Sequence, residues 1–188
     1  MKLEITGKFR DTLIYKSLNG FEKVEKRGWR DNQIQDSALN IIVPQTLGMY
    51  NNILPTLLPV NYFALGAGNS SWDADPNNVN KPYDQTLLTD ESSITNSRIQ
   101  VDDNLFTLLD TNDNPLNPQA PSNKVRLELT IGLNDGLGDL REFGLFANAT
   151  STVDSGIMLN WITHPKIEKD AQLAINREII LDFTICRS

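Results

Sequence analysis

The chain has 188 residues, enough for one domain with a real core. Its 39% hydrophobic and 22% charged residues are ordinary for a globular protein. A formal net charge of -7 and a pI near 4.7 argue against a nucleic-acid partner, because an acidic chain repels phosphate backbones.

The densest basic stretch, Lys23, Lys26, Arg27 and Arg30, is diluted by Glu22 and Glu25 and reads as a solvated strand edge. The single cysteine, Cys186, rules out an intrachain disulfide and fits a reducing compartment. Neither Lys nor His neighbours it to activate the thiol, although Arg187 is adjacent, so it reads as a small terminal residue. The opening MKLEITGKFRD lacks the apolar run of a signal peptide, and no stretch is long and apolar enough for a spanning helix. The sequons at Asn69 and Asn148 are accordingly given no weight.

Residues 2–30 alternate weakly through Leu3, Ile5, Leu13, Tyr15 and Phe21, with Asn19-Gly20 between the last two. Asn-Gly flanked by strand-like residues is a strong hairpin signal, so two or three short strands are expected before Gly28-Trp29. Asp36-Ser37 can cap a helix through Ala38, Leu39, Ile41, Ile42 and Leu47, shortened or kinked at Pro44. A loop is predicted over 51–59, and a buried strand over 62–66 that ends in Gly66-Ala67-Gly68.

Residues 66–85 form a long loop rich in Gly, Asn, Asp and Pro. Thr86 to Arg98 predicts a short helix or turn, capped by Thr89 or Asp90, and Ile99 to Val101 a strand. A second polar loop covers 110–124. Val125, Leu127, Leu129 and Ile131 then alternate with Arg126, Glu128 and Thr130, the pattern of a half-buried antiparallel strand. Asn134-Asp135-Gly136 and Gly138 turn the chain, and strands follow over 140–146 and 157–162. The last strand, from Leu173, is apolar at every odd position through Ile185 except Arg177. Its length suggests a bulge near Arg177 or Ile180, and its apolar face suggests a central place or pairing across a subunit interface. The expectation is one mostly β domain over 1–188, antiparallel and sandwich-like, with one or two short helical insertions. Residues 1–30 supply its N-terminal strands, and 66–85 and 110–124 its long loops.

Chemistry-bearing patterns are scarce. The one histidine, His164, precedes Pro165, which forces it into an extended conformation at a strand end. No Gly-x-Ser-x-Gly context accompanies it. One Cys and one His cannot build a zinc site within one chain. Asp110-x-Asn112-x-Asn114 resembles a calcium loop, but Pro115 stands where glycine is needed and Pro121 where the bidentate Glu belongs. Asp73, Asp75 and Asp84 offer cation ligands but read more simply as a solvated turn. Gly66-Ala67-Gly68 lacks the third glycine and following helix of a dinucleotide turn. No enzyme activity, metal or cofactor is expected. Trp161 lies on a strand and is assigned to the core. Trp72 and Tyr83, with Asp73 and Asp75, are the candidate protein interface, since aromatics anchor such surfaces. On that reading, shortening the 66–85 loop spares folding and weakens assembly.

One resemblance adds to this. Arg141-Glu142-Phe143-Gly144-Leu145-Phe146, Gly156-Ile157-Met158, His164-Pro165-Lys166-Ile167-Glu168-Lys169-Asp170 and the strand from Ile179 to Phe183 follow in that order. Upstream stand Phe63-Ala64-Leu65-Gly66-Ala67-Gly68, then Leu88-Thr89-Asp90-Glu91 with Arg98, and more loosely Gly28-Trp29-Arg30 and Asn32-Gln33-Ile34. This succession resembles bacteriophage tail and baseplate-associated structural proteins, most strongly over 140–183. The resemblance implies a virion structural role in tail, baseplate or fibre attachment, assembled in the host cytoplasm. It implies other virion proteins and further copies of the chain as partners, while the acidic charge and the lack of a long apolar run point to no nucleic acid and no membrane. The alternatives are a carbohydrate or host-recognition module using Trp72 and Tyr83, and a capsid cement or neck protein.

Overall fold

The structure is a computed structural model that describes residues 2–17, 19–38, 59–76 and 79–186. Alternation and turn chemistry set its strands. In chain order these are β1 (Lys2–Lys16), β2 (Glu22–Lys26), β3 (Arg30–Ile34), β4 (Val60–Gly66) and β5 (Arg98–Gln100). β6 (Phe106–Leu109), β7 (Lys124–Ile131), β8 (Gly138–Ala147), β9 (Ile157–Lys169) and β10 (Leu173–Cys186) follow. The protein is mostly β, and every ladder between these strands is antiparallel. Contacts cluster into two compact units. The first holds Met1–Asn32, Asp102–Leu133 and Asp170–Ser188, and the second Gln33–Val101 and Asn134–Lys169, so the boundary falls within β3.

In the first unit β1 is one strand of 15 residues, longer than the short strands expected over 2–30. It pairs with β10 from Lys2↔Cys186 to Tyr15↔Leu173, and its other edge takes β2 and the start of β3. The Asn19-Gly20 hairpin forms as expected. Gly20 adopts φ 79°, where only glycine is comfortable, and its amide donates to the Ser17 carbonyl at 3.0 Å. β2 is an exposed edge strand, as the diluted basic stretch suggested. β10 lies between β1 and β7, and β6 closes the far edge of β7.

The bulge expected near Arg177 or Ile180 does not occur. β10 keeps register with both neighbours through these positions, because Asp11 stands directly opposite Arg177 and neutralises the one charge on the apolar face. On β7, Leu127, Leu129 and Ile131 are buried while Glu128 and Thr130 are exposed, as the alternation required.

In the second unit β4 lies between β5 and β8, β8 pairs with β9, and β9 takes Gln33 and Ile34 of β3. Leu140 to Ala147 are buried at every position, so β8 is covered on both faces. β9 runs on through Pro165, where the sequence suggested an end. Leu140 pairs with Ile167 and Glu142 with Thr163, so His164, Pro165 and Lys166 stand opposite Arg141 alone. Pro165 sits in that bulge, where the ladder needs no amide from it. A second shift, between Leu145 and Phe146, leaves Leu159 as the extra residue on β9. Gly144 faces this crowding: a Cβ there would lie 2.8 Å from the Asn160 carbonyl oxygen and 3.1 Å from the Met158 sulfur. Gly144→Ala is therefore expected to cost about 1–3 kcal/mol by overpacking, read as a lowered midpoint in urea unfolding.

Among the described residues the helical insertions are short 3-10 segments at Asp36–Ala38, Ser70–Ala74 and Asp103–Leu105. The predicted continuation through Leu39, Pro44 and Leu47 lies outside the described residues. Thr86 to Arg98 holds turns rather than a helix. The Asp90 carboxylate accepts from the Ser93 amide at 3.1 Å, and the Ile94 amide returns to the Glu91 carbonyl at 3.1 Å, which closes one turn only.

Candidate functional site

Three groups of ionisable side chains in the second unit, around Arg98, Glu142 and Arg141, hold loops to strands. Arg98 opens β5, and its Nε and Nη2 donate to the two Glu91 oxygens at 2.6 and 2.8 Å. Glu91 also accepts from the Ser97 hydroxyl at 3.0 Å and the Asp154 amide at 3.2 Å. Arg98 Nη1 donates to the Ser155 carbonyl at 2.8 Å, and the guanidinium lies 4.7 Å from the Phe146 ring centre. The pair thus ties the 88–97 strap and the 148–156 loop to β5. Charges this deep are tolerated because they are paired bidentately and their remaining hydrogen-bonding capacity is filled.

Glu142, on β8, is fully buried. Its oxygens accept from the Asp90 amide at 2.8 Å and the Trp161 indole at 2.6 Å. A side chain at Gly66 would reach within 2.6 Å of the same carboxylate, which explains the glycine at the end of β4. Trp161 is buried, as its strand position suggested. Arg141 faces Asp73, with Nε and Nη2 each 2.8 Å from a carboxylate oxygen, and its Nη1 donates to the Ala67 carbonyl at 3.1 Å. Hydrogen bonding from Arg141 holds the Asp73 carboxyl below its ordinary range, and the same bonds raise Arg141.

The four predicted interface residues therefore part company. Trp72 is partly buried against the Ala64, Leu88, Phe146, Ala149, Met158 and Trp161 cluster, with its ring 6.1 Å from Trp161 in an edge-on arrangement. Asp73 belongs to the Arg141 pair. Tyr83, 64% exposed, and Asp75 remain at the surface. The 66–85 loop thus contributes Trp72 to the core of its own unit, and excising it removes packing as well as surface. Trp72→Ala is expected to destabilise by about 1–2 kcal/mol, a partial share of burying an aromatic ring, visible in thermal unfolding.

His164 is buried and lies within β9 rather than at a strand end. Its Nδ1 lies 2.9 Å from the Pro165 carbonyl oxygen and its ring 5.9 Å from Phe143. The Asp110 carboxylate accepts from the Asn112 and Asn114 amides at 2.8 and 2.9 Å and from Asn114 Nδ2 at 3.0 Å, so loop donors occupy the oxygens a calcium ion would take. These bonds, led by that from the Asn114 side chain, lower its pKa. Among the described residues no group of three or more His, Cys, Asp or Glu is placed to hold a metal.

Two features of the first unit escaped the sequence reading. Asp113, in a left-handed turn at φ 65°, accepts from Lys124 Nζ and Lys8 Nζ, each at 2.9 Å. Bonding to Lys124 first and Lys8 second lowers Asp113, and Asp113 raises Lys124. A depressed carboxylate contributes stability that is complete above its unfolded pKa of about 3.9 and fades as pH falls through the folded value. The raised lysine contributes stability that is complete below about 10.4 and fades as pH rises through its folded value. Asp113→Asn should therefore lower stability slightly across the middle of the pH range, where both contributions are complete, and change little at the acid and alkaline ends, the small size being that of a partly exposed pair. Urea midpoints across pH read this directly.

The other is a polar trough of about 370 Å³ on one face of the sheet. Thr12, Asn176 and Thr130 stand in register on β1, β10 and β7, with Lys26 of β2 completing the row. Arg10, Glu178 and Glu128 form the next row, and Arg27 adds to the wall. The signal was present as the polar even positions of β1, β7 and β10, but strand order is needed to bring them together.

The fold and site define a mostly β, antiparallel protein in which buried charges join strand to strand at Asp11–Arg177 and loop to strand at Arg98–Glu91. Comparison with protein-family models, curated proteins and solved structures gives no match.

Proposed function

We propose that this chain is a structural component of a bacteriophage particle, in the tail, baseplate or fibre attachment, acting through protein–protein contacts rather than catalysis. The observation that carries the proposal is where four side chains that pin loops to strands fall. Glu91, Arg98, Arg141 and Glu142 lie in the segments that resemble phage structural proteins, and each fastens a loop to β4, β5, β8 or β9. Such pinning gives a rigid surface, which lowers the ordering cost of association. Tyr83 in the second unit, and Phe21 and Val24 on the β1–β2 hairpin of the first, are exposed apolar anchors for partners.

The partners are other virion proteins and further copies of the chain, met in the host cytoplasm during assembly. A glycan-recognition reading built on Trp72 loses that ring to the core and keeps only Tyr83. A capsid cement or neck role rests on the same scaffold and differs only in place. Size-exclusion chromatography with light scattering tests the proposal. A multimer of fixed stoichiometry, weakened by Phe21→Ser or Tyr83→Ser, supports it. A strictly monomeric chain that binds no virion component overturns it.

A further inference from the structure

We infer that the trough on the first unit is a binding site for a small sugar acid, a polyhydroxylated ligand bearing one carboxylate. This inference is independent of the assembly role, because it rests on the two rows of side chains alone.

Paired residues on adjacent antiparallel strands present their side chains on the same face. Lys26, Thr12, Asn176 and Thr130 therefore form one row across four strands, about 14 Å long at the usual strand spacing. Thr130 Oγ1 donates to Asn176 Oδ1 at 3.0 Å, which leaves the Asn176 amide nitrogen as a donor. Asn176 Nδ2, the Thr12 hydroxyl and Lys26 Nζ have no side-chain hydrogen-bond partner among the described residues. Three uncommitted donors, one of them cationic, suit a carboxylate.

The second row is chemically different. Arg10 donates to Glu178 at 2.7 Å and lies 4.5 Å from the Trp29 ring centre, so its guanidinium is held in place. Arg126 lies 3.4 Å from Glu128 and 3.9 Å from Glu178. Both glutamates are thus charge-compensated and still present oxygens to the trough. Acceptors of this kind take hydroxyl protons and repel a second anion, which argues against a phosphate or a polyanion. One row of donors beside one row of acceptors matches a ligand with a carboxylate at one end and hydroxyls at the other. The volume lies at the small end of the range for ligand pockets.

The test uses the full chain, labelled with nitrogen-15, and titrates galacturonic acid, N-acetylneuraminic acid, galactose and sodium acetate. Chemical shifts are followed at the Asn176 side-chain amide and the Thr12 and Thr130 backbone amides. Saturable shifts with at least one sugar acid are expected, with galactose and acetate each about tenfold weaker, since each lacks one half of the match. Lys26→Ala and Asn176→Ala, both at exposed positions, should weaken sugar-acid binding at least fivefold while leaving the melting temperature unchanged. Acetate binding as tightly as the sugar acids overturns the sugar assignment in favour of a bare carboxylate. The absence of saturable shifts with either sugar acid overturns the site, as does unchanged binding in both variants.

Discussion

Asp11→Ala is expected to cost about 3–5 kcal/mol, the loss typical when one member of a buried ion pair is removed. Arg177 is 1% exposed at the middle of β10, and its Nε and Nη2 donate to the two Asp11 oxygens at 2.6 and 2.8 Å. Ile175 and Ile179 flank it on the same face, and Phe9 lies 5.7 Å from the guanidinium. Removing the carboxylate leaves a cation out of reach of bulk water, so the damage exceeds the net worth of the pair. The double replacement Asp11→Leu with Arg177→Met should recover most of the loss, because an apolar pair of similar volume needs no desolvation. Urea unfolding of the two single variants and the double variant gives the cycle. Equal losses in Asp11→Ala and the double variant would show that packing, not charge, holds this register.

Phe143→Ala should be comparably severe, about 3–5 kcal/mol. The ring is fully buried on β8, lies 5.3 Å from Phe63 and also touches His164. Strands covered on both faces have little freedom to collapse into a void, which places this site at the upper end of the range. Phe183 stands on the apolar face of β10 but is only half-buried. Phe183→Ala should therefore cost clearly less. Thermal unfolding of the two variants side by side checks the ranking, and a larger loss at Phe183 would invert it.

Local signals carried much of the fold. Asn19-Gly20 marked the first hairpin, the alternation of 125–131 marked β7, and the apolar odd positions marked β10 as central. What could not be read was long-range. Arg177 looked like a flaw needing a bulge, because its partner Asp11 is 166 residues away and only strand register makes them neighbours. Pro165 looked like the end of a strand, because the bulge that accommodates it depends on β8. Turn residues identified 66–85 as a loop but could not say that Trp72 points inward while Tyr83 stays out. The trough was hidden for the same reason. Its two rows come from β1, β2, β7 and β10, and no single stretch contains them.

The most direct test of a virion structural role is a low-resolution map of density-purified particles from cells carrying the gene for this chain, with a bulky tag fused to it. The account predicts tag density at fixed, symmetry-related positions on the tail, baseplate or fibre attachment, with the chain present in stoichiometric amount. Particles that are complete without the chain, with all of it left in the soluble fraction, would contradict it.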